Sequence, residues 1–132
     1  MRQLIRRNHK DFPHCLKCVP SVIGICVGEC VDRCQPNRIR ALHDVYGHAH
    51  SNHNCPNVGW ICVKHKYLLR DKQLLLHEAA HIIVDRVNND YMTHGKEWKA
   101  ALVKLGGTFK PYVFKYKGIE WRHNDYTYRR GR

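Results

Sequence analysis

The 132-residue chain has no run of 18 apolar residues, so no membrane-spanning helix is expected. Basic residues open the sequence (Arg2, Arg6, Arg7), but no apolar stretch follows them, and a secretory leader is not expected either. There is no internal repeat and no low-complexity tract, which sets aside repeat arrays and compositionally disordered chains. Acidic residues are scarce: 11 Asp and Glu stand against 23 Lys and Arg, giving a net charge of +12. An excess of that size favours attraction to a polyanion, most often nucleic acid, with a merely Lys/Arg-rich soluble surface as the plain alternative. A disulfide framework is also missing. The seven cysteines are odd in number and come without a leader, which points to reduced thiols or metal ligands in a reducing, intracellular compartment. With 43% hydrophobic and 26% charged residues, this length fits one globular domain.

Against these absences stands one pentapeptide, His77-Glu78-Ala79-Ala80-His81, between Leu74-Leu75-Leu76 and Ile82-Ile83-Val84. On a helix of 3.6 residues per turn, His77 and His81 stack on one face and can share a zinc ion. Glu78 then adjoins the first ligand, where a carboxylate can reach a metal-bound water. With 11 histidines in the chain, an accidental match has odds of about 3%. The apolar flanks lower that further, because a dry metal site needs a buried helix. Asp71 is the expected N-cap of this helix, which should run to about Val87 and stop at Asn88-Asn89. Its apolar residues cover most of its circumference, so it should be central.

A catalytic zinc needs a third protein ligand and an open position. Asp85 shares the face of His81 but lies roughly 12 Å along the axis from His77, at 1.5 Å per residue. His94, after a loop and just ahead of a second expected helix (95–105), is the better-placed donor; Glu97 is next, and Asp90 remains a further option. In that second helix Trp98, Ala101, Leu102 and Leu105 recur at i, i+3, i+4, i+7, and Gly106-Gly107 ends it.

The pair His77-Glu78-Ala79-Ala80-His81 and His94-Gly95-Lys96-Glu97-Trp98 resembles the SprT-like zinc metalloprotease family, which joins an HExxH helix to a later His-Gly-x-x-Phe/Trp segment. The likeness covers about residues 60–107. It implies His77, His81 and His94 as zinc ligands and Glu78 as the catalytic residue. It also implies a small α+β, zincin-like domain over residues 38–132, its HExxH helix packed on a short mixed or antiparallel sheet. A basic, Cys-rich segment (1–37) precedes it. Many members carry a C-terminal zinc ribbon with paired cysteines, whereas residues 108–132 contain no Cys. The chemistry expected is peptide hydrolysis: zinc lowers the pKa of water toward about 7 and polarises the carbonyl. Glu78 takes the water proton and passes it to the leaving nitrogen. A protein substrate is expected to lie extended along an edge strand, for which Trp60, Ile61, Cys62 and Val63 are the candidates. Tyr91, Tyr112 and His65 stand unranked as oxyanion donors. Two other readings remain: a metallopeptidase dedicated to one repressor or regulator, and a non-catalytic zinc-stabilised nucleic-acid-binding module. Glu78 speaks against the last, since a structural zinc needs no carboxylate between its ligands.

The cysteines suggest a second, structural zinc. Cys15-x-x-Cys18 has knuckle spacing, and Cys26, Cys30 and Cys34 recur every four residues, which on a helix would align them. Cys15, Cys18, Cys30 and Cys34 make the candidate four-thiolate set, with buried thiols acting as small hydrophobes as the alternative. His48, His50, His53 and Cys55 look metal-like too, but are read as polar loop residues of a His-rich chain, and Cys62 as a core residue.

The remaining segments read as follows. Residues 1–14 form a loose basic lead-in, 38–46 a strand, 47–58 a loop, 59–63 a short apolar run of strand length, and 111–123 a strand or hairpin turning at Gly118. Residues 126–132 should fray. From Lys110 onward, Lys115, Lys117, Arg122, Arg129, Arg130 and Arg132 interleave with Tyr112, Phe114, Tyr116, Trp121, Tyr126 and Tyr128. Such a segment can neutralise phosphates and stack on unpaired bases. Equally, its aromatic face can cover the core while its lysines meet water. Some SprT-like proteases act on DNA-bound proteins, so the resemblance implies nucleic-acid-associated substrates.

Overall fold

Ile and Val recur in the two central strands of the sheet, Gly24–Val27 and Trp60–Val63. β1 (Gln3–Arg6), β2 (Gly24–Val27), β3 (Gly47–Ala49) and β4 (Trp60–Val63) pair in the order β1-β2-β4-β3. The β2/β4 pair is parallel and the two outer pairs antiparallel, so the sheet is mixed. Together with helices α1 (Lys72–Asn88) and α2 (Lys96–Lys104) it makes a small α+β fold. The computed structural model describes residues 3–28, 47–50, 56–88, 95–108, 110 and 112–123. No helix among these is long and apolar enough to cross a membrane.

Alternation sorts the strand residues onto two faces. Ile5, Ile25 and Ile61 share one register row, and Val27 and Val63 another; all are buried with Leu74, Leu75, Leu76, Ala79, Ala80 and Ile82 of α1. The opposite face carries Leu4, Cys26, Cys62 and His48 in one row, and Arg6, Gly24 and Trp60 in the next. Glycine is required at 24, because a Cβ there would come within 2.6 Å of the Trp60 ring. The ring fills that space and meets the Arg6 guanidinium 5.3 Å from its centroid.

Helix α1 starts and ends where the sequence indicates. Asp71 is buried, and its Oδ1 accepts from the Leu74 N–H (3.2 Å) and from the Tyr112 hydroxyl (2.9 Å). One carboxylate therefore caps the helix and ties the C-terminal hairpin to it. Asp71→Ala should cost about 1–3 kcal/mol in urea unfolding, the combined loss of a cap and a buried hydrogen bond. An unchanged midpoint would refute that role. Helix α2 closes with Gly107 N–H bonded to Leu102 O and Gly106 N–H to Val103 O, both 2.9 Å, the paired bonds of a Schellman motif.

The hairpin is β5 (Tyr112–Tyr116) and β6 (Ile119–His123), joined through Lys117 and Gly118 with φ of 50° and 81°, as a type I′ turn demands. Tyr112, Phe114 and Tyr116 are half-buried while Val113, Lys115 and Lys117 are exposed. Tyr116 packs against Tyr67 (5.3 Å) and under Arg70 (4.5 Å). On β5 the aromatic face thus covers the body of the protein and its lysine meets water.

Three expectations need correction. Residues 3–14 are not a loose lead-in: Ile5 and Phe12 are buried, and β1 joins the sheet. Arg7 adds to this, its guanidinium donating to the carbonyls of Leu16, Lys17, Val19 and Val22 at 2.6–3.3 Å. Loop was expected over 47–58, yet Gly47–Ala49 is a strand, because Ala49 packs on the core and β4 offers its free edge. Cys26 lies in β2, so no helical stripe joins it to Cys30 and Cys34. The strand expected at 38–46, the fraying expected at 126–132, and Cys30, Cys34, His53 and Cys55 lie outside the described residues.

Candidate metal centre

The helix that the apolar flanks bury brings His77, Glu78 and His81 together. One ligand atom from each lies within 4.8 Å of the others. The two imidazoles, one turn apart, have centroids 5.0 Å apart at 68°. Glu78 is 6% exposed, and its Oε2 sits 3.9 Å from His77 Nε2. Burial pushes the Glu78 carboxyl well above the usual carboxylate range, because the dry surroundings penalise the charged form.

Trp98 of α2 fixes the second wall. Its indole N–H donates to His77 O at 3.1 Å. Its ring lies 4.7 Å from the His77 centroid and stacks on His81 at 5.5 Å and 28°. A fully buried side chain therefore locks the start of α2 beside the histidine pair. Sequence periodicity marks Trp98 as a core position; its contact with both imidazoles and a helix carbonyl could not be read from spacing.

No family model, characterised protein or solved structure matches this chain.

Of the third-ligand candidates, Glu97 is exposed on the first turn of α2 and stands outside the His77–Glu78–His81 group. His94, Asp90 and Tyr91 lie outside the described residues, as does the side chain of Asp85. Gly95, one peptide bond after His94, is the N-cap of α2. Two oxyanion candidates have structural partners: His65 Nδ1 accepts from the Tyr67 N–H, and Tyr112 donates to Asp71. The substrate strand needs correction. Trp60–Val63 is β4, paired on both sides and buried throughout, so its backbone has no edge to offer. The described sheet ends at β3 on that side. Cys15 is half-buried and Cys18 exposed; burial raises the Cys15 thiol, favouring the protonated form. Among the described residues no third donor joins those two.

Proposed function

We propose that the chain is a zinc-dependent metalloendopeptidase of the SprT-like type, with His77 and His81 as ligands, His94 as the third, and Glu78 as general base. The observation that carries this reading is the trio on α1, a buried Glu78 between two half-buried histidines, whose donor atoms lie within 4.8 Å of one another. The donor chemistry fits the ion: two imidazoles one helical turn apart suit zinc, and a carboxylate beside them suits proton transfer. Trp98 supports the choice of His94, because it anchors the beginning of α2 against both histidines. When bound, zinc supplies Lewis acidity toward water and a peptide carbonyl. Glu78 accepts the proton of the attacking water and returns it to the departing amine nitrogen. Burial raises its carboxyl above the usual carboxylate range, which favours keeping the proton it takes until the leaving nitrogen needs it. The hydrophobic surroundings of α1 limit the water around this transfer. An extended protein substrate would pair with β3, the strand at the end of the described sheet beside α1, and Lys110, Lys115 and Lys117 would draw nucleic-acid-bound proteins through charge.

The test is hydrolysis of an unfolded protein by the purified chain. A chelator should abolish cleavage and added zinc restore it, while His81→Ala should lose both the activity and a zinc equivalent. Cleavage that survives chelation, or full zinc content in His81→Ala, would remove the proposal.

A further inference from the structure

We propose a second metal site, formed by His48, His50 and Cys62 on the face of the sheet turned away from α1, for a borderline-soft divalent cation of the Zn²⁺ class. Register makes the site. His48 lies directly opposite Cys62 in the β3/β4 pair, and His50, two residues further along, shares its face. Backbone bonds hold His50 beside β4: its N–H donates to Trp60 O at 2.9 Å, and its carbonyl accepts from the Gly59 N–H at 2.8 Å. His50 Nε2 stands 3.3 Å from Cys62 Sγ, the two imidazole centroids are 5.0 Å apart, and the three donor atoms fall within 4.8 Å of one another. Around a tetrahedral zinc, neighbouring nitrogen and sulfur ligands are separated by about 3.5 Å, so only a small closure is needed.

The chemistry differs from that of the α1 centre. A thiolate with two imidazoles selects zinc-like ions over the hard, oxygen-seeking Mg²⁺ and Ca²⁺. Cys62 is 2% and His50 4% exposed while His48 is half-buried, so the ion would be largely sheltered, with water as its fourth ligand. Three residues make a short edge strand, and a metal bridging β3 to β4 would clip it in place. The row continues across β2 to Cys26, which is fully buried beside Cys62. Neither His77 nor His81 takes part, so the site stands or falls without the α1 reading.

Cobalt and zinc binding to the full chain separate the two centres, because only this one contains a thiolate. Metal-free protein reconstituted with zinc should bind about two equivalents, and Cys62→Ser about one. With Co²⁺, the near-ultraviolet thiolate-to-metal charge-transfer band should vanish in Cys62→Ser yet persist in a His77→Ala/His81→Ala double variant. If Cys62→Ser fails to fold, His48→Gln at the half-buried strand position should weaken the band instead. Equal zinc content in wild type and Cys62→Ser, or a band that survives both Cys62→Ser and His48→Gln, would overturn the site.

Discussion

Replacing Glu78 with Gln is expected to keep the zinc content and cut peptide hydrolysis by about 10²–10⁴-fold, the usual contribution of a positioned base. The amide fills the same buried space, so a loss of activity reports proton transfer and not packing. Stability supplies an independent reading on the metal-free protein. Burial raises the Glu78 carboxyl in the folded state above its unfolded value. Such a group favours folding at low pH, where both states hold the proton, and loses that contribution as pH rises from the unfolded pKa through the folded one. Near neutral pH the wild-type carboxyl therefore weighs against the metal-free fold, and Gln, which cannot ionise, should raise its Tm there. The difference should shrink toward pH 4. A variant that cleaves at the wild-type rate, or one less stable than wild type at neutral pH without metal, would contradict this account.

The second large effect is expected from Trp98→Ala. A fully buried indole that contacts both imidazoles and a helix carbonyl should cost about 3–5 kcal/mol on truncation. That is a large part of the roughly 5–15 kcal/mol typical of a domain. Zinc affinity should fall as well, since α2 would no longer be held against His77 and His81. Trp98→Phe separates the two contributions: it keeps most of the packing but lacks the N–H that bonds His77 O. Chemical denaturation and a zinc competition assay would read both. Wild-type stability in Trp98→Ala would show that α2 is held by other means.

The α1 part of the centre was legible because helical spacing converts directly into proximity. His77, Glu78 and His81 are local in sequence, and the Asp71 cap and apolar flanks announce the helix that joins them. The hairpin around Gly118 was legible for a similar reason, since a two-residue turn and alternation fix register without distant partners. What could not be read depends on strand order. A buried four-residue run such as Trp60–Val63 looks the same whether it lies at an edge or between two neighbours, and only pairing decides. Pairing likewise converts His48, His50 and Cys62 from two loop histidines and a core thiol into one cluster. Arg7 hid the order of the first segment, because a basic residue near a terminus gives no hint that it will gather four backbone oxygens.

That gathering bears on how the chain would meet a polyelectrolyte. Part of its cationic excess is already engaged: the half-buried Arg7 guanidinium by peptide carbonyls, and those of the exposed Arg6 and Arg70 by the indole and phenol rings they lie over. Counterion release follows only those cations that reach phosphates, so the salt slope for any nucleic acid should fall below what the formal tally of +12 would give.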